Sequence, residues 1–298
     1  MAAARCTAFA INGVKESKMP TTIANRFIAA DHCALYSEYT LPDTEPRALV
    51  LIVHGYAEHS GRYRHVVEAL VNAGYGVHTL DHRGHGKSEG LRAYVEAIDL
   101  LVSDLRRFIG MIRSEHPNHL FYVLGHSMGA LISFNYALRH QDTLNGMILS
   151  ALPIHPNANI PDSVVKIAYA LNNFVPRLAL ARTVPPEYLS RDPAVTEAYK
   201  NDPLNYTGLM RVRTGISIDQ AAQTAIRDMS SITIPTLFLH GGADRIARPS
   251  GSETAYAQIS SVDKMLKIYP NLYHEIFNEP EKETVLNDMI GWLNQRVR

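Results

Sequence analysis

The chain has 298 residues, 46% of them hydrophobic, enough for one large core carrying an insertion rather than two separate domains. Basic and acidic residues number 29 each with no like-charge run, so the electrostatic footprint of a nucleic-acid binder is missing. No apolar run approaches the roughly 18 residues of a membrane span, and the two cysteines, Cys6 and Cys33, are too few for a disulfide framework.

Residues 1–20 lack a charged start followed by a sustained apolar segment, so they read as a loose N-terminal extension, with Met19 as an alternative start. The expectation is a soluble, cytoplasmic protein with free thiols. Residues 21–29 and 34–39 are extended runs joined by the turn-like Ala30-Asp31-His32, which predicts a hairpin. Residues 48–54 form a continuous apolar run ending at Gly55, the pattern of a strand buried on both faces of a parallel sheet. A helix over 63–73 leads to a strand over 76–80. Val95, Ile98, Leu101, Val102, Leu105, Ile109 and Ile112 then mark one face of a long amphipathic helix. A strand over 120–124, a helix over 128–140 and a strand over 146–150 continue the alternation. It resumes with a strand over 236–240, a helix over 252–259, a strand over 265–269 and a closing helix over 281–297. Such alternation predicts an α/β protein with a mostly parallel, doubly wound sheet. Residues 152–231 break the rhythm: they are rich in Pro and Asn and carry short helical patterns without a clear strand. They read as a mostly helical cap inserted into a core made of residues 21–151 and 232–298.

Chemistry concentrates at strand ends. Gly125-His126-Ser127-Met128-Gly129 lies between an expected strand and an expected helix. A G-x-S-x-G pattern there suits a sharp turn that pushes the serine hydroxyl into a cleft. A serine needs a base to take its proton, and with this motif the chain order is Ser, acid, His. Asp244 alone follows a late strand, and His274 is the only histidine beyond it. Asp263, the rival acid, precedes its strand and belongs to the opposite edge. The catalytic set is therefore Ser127, Asp244 and His274. A tetrahedral intermediate needs oxyanion donors. The backbone N–H of Met128, just after the nucleophile, and that of Tyr56, in the loop after the first long parallel strand, are the candidates. The Tyr56 side chain either covers the pocket mouth or packs on the surface.

Other patterns are decoys. Gly86-Lys87-Ser88 ends like a phosphate-binding loop, but Asp81 stands where that motif needs glycine. The run from Asp81 to Gly86 holds metal-capable residues without a tight ligand set, so it reads as a hydrogen-bonded loop supporting the cleft. His54, Glu58, His59 and His126 read as parts of the same support. No metal or organic cofactor is expected.

These residues together resemble the monoacylglycerol lipase and lysophospholipase branch of the α/β-hydrolase superfamily. The matching segments run from His54 to Tyr63, from Asp81 to Gly90, from Leu124 to Gly129, from Gly241 to Arg245, and over Tyr273-His274-Glu275. Residues 189–193 and 202–204 also look like this branch. The resemblance implies the α/β-hydrolase fold, a metal-free serine triad and esters of single acyl chains as substrates. Departures lie at Tyr56, where many relatives carry a small residue, at Ala130, where glycine is usual, and at Ser150-Ala151-Leu152-Pro153. The leading expectation is a carboxylic ester hydrolase acting on monoacylglycerols. An esterase for small or aromatic-acid esters, a lysophospholipase, and a ligand-binding receptor on the same fold are the alternatives. Residues 164–175 are apolar nearly all round. They are expected either to pack within the cap or to line an acyl tunnel over Ser127 and touch a lipid surface transiently, as a peripheral membrane contact.

Overall fold

The chain enters through the expected hairpin. In the computed structural model, which describes residues 21–156, 160–182 and 184–297, β1 (Thr22–Ile28) pairs antiparallel with β2 (Ala34–Thr40). The N-terminal extension, with Cys6 and Met19, lies outside the described residues. β3 (Leu49–Val53) is buried at every position, and α1 (Arg64–Asn72) carries the chain to β4 (Gly76–Leu80), likewise buried throughout. α2 (Ile98–Glu115) turns the expected apolar face inward and adds Phe108 to it. β5 (Phe121–His126), α3 (Met128–His140) and β6 (Gly146–Ser150) follow.

The stretch between β6 and the next core strand holds α4 (Asp162–Asn172), β7 (Ala179–Arg182), α5 (Pro193–Asn201), β8 (Leu209–Arg211) and α6 (Val212–Asp228). The strands β7 and β8 correct the reading that residues 152–231 lack a strand. They pair antiparallel with an irregularity between Ala179 and Ala181, and so short a pair leaves no alternation to detect in sequence. Neither joins the main sheet. β9 (Thr236–Gly241), α7 (Ser250–Gln258), β10 (Lys264–Tyr269) and α8 (Lys282–Asn294) complete the chain.

Among the described residues the main sheet has eight strands in the order β1-β2-β4-β3-β5-β6-β9-β10, parallel from β4 to β10. Side chains alternate between its faces. Leu49, Leu51, Val53, Val123, Met147, Leu149 and Phe238 pack with α2 and α3. Val50, Ile52, Tyr122, Leu124, Ile148, Leu237 and Leu239 pack with α1 and α8, including Val66, Leu70, Met289 and Trp292. Each such aliphatic side chain contributes about 1.5–3 kcal/mol when fully buried. With both faces covered, β3, β4, β5, β6 and β9 are buried at every position, which leaves the carboxyl edge as the open end of the sheet. There the chain leaves β3, β5, β9 and β10 within one row of parallel registers, Val53 opposite Gly125 and Gly241 opposite Tyr269.

Candidate active site

Ser127 sits at the turn from β5 into α3 with φ +52° and ψ −121°. A side-chain-bearing residue reaches that left-handed region only when its surroundings hold it there. Here the Ser127 N–H donates to Ser150 O at 2.9 Å, and the Ser127 carbonyl accepts from Leu131 N at 3.1 Å. The flanking glycines answer to space. A Cβ on Gly125 would meet Gly129 O and Ala130 Cα, and one on Gly129 would strike the carbonyl oxygens of Val53 and His54. The turn is thus wedged against the end of β3, and Met128 begins α3 directly behind the serine, buried.

His274 and Asp244 meet as expected. The Nδ1–H of His274 donates to Asp244 Oδ2 at 2.8 Å, both side chains buried. Asp244 Oδ1 accepts from the N–H groups of Ile246 at 2.7 Å and Ala247 at 3.0 Å. Burial opposes the Asp244 charge, but His274 and His240 outweigh it and hold its carboxyl well below the usual range. Burial likewise works against a charged His274, yet the Asp244 carboxylate prevails and raises the imidazole above its ordinary 6.5. With Nδ1 committed to Asp244, Nε2 is left for the cavity that His274 and Ser127 both line. Asp263 lies at the other end of the sheet, its carbonyl bonded to Thr236 N and its carboxylate to Arg296.

The loop after β3 brings Gly55 and Tyr56 to the same cavity. A Cβ on Gly55 would lie 3.3 Å from Ser127 Cβ, so the backbone there passes close to Ser127. The Tyr56 side chain takes neither expected place: it turns inward, buried, with its hydroxyl donating to Ala93 O at 3.0 Å. Glu58 holds the loop from below, its Oε1 accepting from Gly55 N at 2.6 Å and Tyr63 OH at 2.7 Å. Arg62 then bridges Glu58 and Glu275, donating to Glu58 Oε2 and Glu275 Oε2 at 2.7 Å each. Burial raises the Glu58 carboxyl, whereas Arg62 overcomes burial at Glu275 and lowers it.

The supporting loop is held mainly through Asp81 and its histidines. Asp81 accepts from Ser60 N, Ser60 Oγ and Lys87 N. His54 donates from Nδ1 to Gly55 O at 2.7 Å and accepts from His82 N at 2.9 Å through Nε2, so it braces backbone as a neutral ring. His126 contacts Ser150 Oγ through Nδ1 and lies 4.8 Å, ring to ring, from His274. Burial and the neighbouring His274 push it down to about 3. Among the described residues no group of three or more His, Cys, Asp or Glu could hold a metal ion.

Several residues of the site escaped sequence reasoning. His240 stands 3.3 Å from Asp244 Oδ2 and is locked by Ser252 Oγ and Ala247 O. Its place at the end of β9, one helical-turn spacing before the acid, was the available signal. Val184, Leu189 and Tyr199 roof the cavity from the stretch between β6 and β9. Nothing in the sequence distinguished them. None of residues 164–175 lines the cavity, contrary to the tunnel expected there. Only about 10 Å³ is free inside, room for roughly one water.

A strained serine at a strand-to-helix elbow, sharing a cavity with a histidine oriented by a buried aspartate, defines an α/β-hydrolase of the serine type. Residues 44–281 match the family model described as serine aminopeptidase, S33. The chain is 37% identical over 87% of its length to the monoacylglycerol lipase of Mycolicibacterium smegmatis, covering 92% of that protein. It is 30% identical to the caffeoylshikimate esterase of Arabidopsis thaliana, covering 89% of this chain and 83% of that one. The solved structure of Paleococcus ferrophilus monoacylglycerol lipase superposes with a TM-score of 0.79 at 31% identity, over 88% of this chain and 99% of that one. The chain belongs to this family, in its monoacylglycerol lipase-like branch, and is a serine carboxylic ester hydrolase.

Proposed function

We propose that the protein hydrolyses monoacylglycerols to fatty acid and glycerol through an acyl-enzyme on Ser127. The observation that carries the site assignment is the 2.8 Å bond from His274 to Asp244 beside a cavity that also contains Ser127. In this reading Nε2 of His274 takes the Ser127 proton as Oγ attacks the acyl carbonyl. The N–H groups of Tyr56 and Met128 donate to the oxyanion. The proton on His274 then passes to the departing glycerol, and a water activated by the same imidazole releases the fatty acid. The similarity to monoacylglycerol lipases supports the substrate class.

An aminopeptidase needs a carboxylate free to hold the substrate ammonium. Glu58 and Glu275 do line the cavity, but Gly55, Tyr63 and Arg62 occupy the first, and Arg62 and Asn278 the second. That saturation favours a neutral ester. We also propose that residues 152–231 act as a cap which rests on lipid. The support is a set of exposed apolar side chains there, Phe174 at 83% and Ile167 at 58% exposure, with Val164, Val175, Leu178 and Leu180 beside them.

The test is a matched panel of mono-, di- and triacylglycerols, lysophospholipids, caffeoyl esters and short-chain nitrophenyl esters. Medium- and long-chain monoacylglycerols are expected to be hydrolysed fastest. Preference for acetate or caffeoyl esters, with monoacylglycerols untouched, would replace this reading with the small-ester one.

A further inference from the structure

A cavity with room for one water admits no acyl chain, so part of its wall must move. The walls differ in how they are held. His126 ends β5, and Gly55, Ser127 and His274 belong to turns wedged against the sheet edge, as the collisions at Gly125, Gly129 and Gly241 require. Tyr199 is buried, its hydroxyl donating to Ala57 O at 3.0 Å, with Arg62 under its ring. Val184 and Leu189 instead flank a single short turn, Pro186–Tyr188, that buries nothing. Beyond Leu189 the chain is anchored, Ser190 Oγ donating to Asn278 O and Arg191 pairing with Glu279.

A cation–π stack ties this roof, from outside, to the loops that carry Asp244 and His274. The guanidinium carbon of Arg245 lies 5.3 Å from the ring centroid of Tyr188, in the roof, and 5.8 Å from that of Tyr273. Arg245 directly follows Asp244, and Tyr273 directly precedes His274. The arginine is exposed and makes no ion pair with any described residue; its contacts are the two rings. Beside it, Glu275 N donates to Leu189 O at 2.7 Å. Cation–π contacts at exposed positions are weak enough to break and re-form on the timescale of loop opening.

We infer that the Tyr188–Arg245–Tyr273 stack is a latch on the roof of the active site, and that Arg245 is a positioning residue governing entry of long acyl chains. This inference rests on the ester-hydrolase reading of the same site. A closed roof lowers apparent affinity by the fraction of molecules that are open, and more for a substrate that must displace more of it. Loosening the latch therefore favours long chains over short ones, the opposite of what general damage to the site does.

The experiment compares Arg245→Ala, Arg245→Lys, Tyr188→Leu and the double variant Arg245→Ala/Tyr188→Leu with the parent protein. Arg245→Ala is expected to raise kcat/KM for dodecanoyl glycerol about fivefold, with butanoyl glycerol changed less than about twofold. Arg245→Lys, which keeps a cation over the rings, stays near the parent. Tyr188→Leu copies Arg245→Ala, and the double variant adds nothing. Hydrogen exchange at the Tyr188, Leu189 and Glu275 amides is expected to quicken about fivefold in Arg245→Ala while core amides are unchanged. Equal loss on both esters, unchanged exchange at those amides, or failure of lysine to restore them overturns the latch. If the parent protein cleaves no ester at all, the ester reading falls separately, and the exchange measurement still decides the latch.

Discussion

α4 and α6 lie in the same stretch between β6 and β9 and meet opposite fates. α4 reads Asp-Ser-Val-Val-Lys-Ile-Ala-Tyr-Ala-Leu-Asn, yet none of its residues is buried. α6 carries Arg, Thr, Ser, Asp and Gln through most of its length, yet buries Val212, Thr214, Ile216, Ser217, Asp219, Ala221, Ala222 and Ala225. The difference is one of side-chain size at the contact. Small residues along one face let α6 lie close against α3, where Asn135 Nδ2 reaches Ala221 O at 3.2 Å. α4 is tethered to α6 through Tyr169, whose hydroxyl donates to Asp219 Oδ2 at 2.6 Å. Val164 and Ile167 therefore stay exposed, while Val165 and Leu171 are half-buried. Apolar content alone does not decide burial; fit to a partner does. The anchored half, α6 with the site loops, is built to hold geometry, and the bare half, α4 with β7, is built to meet something else.

The largest effects belong to the anchored half. Ser127→Ala is expected to cut ester hydrolysis by about 10⁶ with the fold retained. Retention of a tenth of the activity would remove Ser127 from the chemistry, and an organophosphonate should label Ser127 alone by mass spectrometry. Asp244→Asn is expected to cost about 10⁴ in turnover, because His274 loses its orienting partner and its tautomer. A crippling Asp263→Asn beside a silent Asp244→Asn would reverse the assignment.

Protonation separates the halves next. In the proposed mechanism His274 must be neutral to accept a proton, and Asp244 raises it above 6.5. Activity is therefore expected to climb about tenfold per pH unit on the acid side and level off above that raised value. Stability has its own dependence in the same half. Burial holds His78 and His85 down to about 4 and His126 to about 3, against an ordinary 6.5. The unfolded chain takes up protons below 6.5 that these folded rings refuse, so their contribution, complete above 6.5, is lost as pH falls toward 4. Raised His274 contributes in the opposite sense. Melting temperature measured from pH 7 to 4 should fall, with net proton uptake on unfolding; a flat profile would contradict neutral buried rings.

The bare half is probed by paired substitutions. Ala225→Leu in α6 overfills a contact and is expected to destabilise by about 1–3 kcal/mol in denaturant titration. Ile167→Ser and Phe174→Ser, at exposed positions, are expected to leave stability within about 0.5 kcal/mol. They should also leave hydrolysis of a soluble short-chain ester unchanged while weakening cosedimentation with phosphatidylcholine vesicles. Equal vesicle binding by parent and variants would mean that the bare helix serves another surface.

The fold was legible because it rests on local rules, and so was the meeting of His274 with Asp244 beside the cavity that Ser127 lines. Continuous apolar runs at β3 and β5 have only one stable use, a strand covered on both faces. Glycines around Ser127 are demanded by a turn that nothing larger fits. The order Ser, Asp, His follows from which loops leave the carboxyl edge. What tertiary structure alone decided is everything that depends on distant segments meeting. The reach of Arg62 to Glu275, the inward turn of Tyr56, and the roof of Val184, Leu189 and Tyr199 all pair residues remote in the chain or in loops without periodicity. The exposure of α4 belongs with them. A single helix read alone shows which residues are apolar, but whether a surface exists to receive them is set by the shape of another helix, and that shape appears only when the chain has folded.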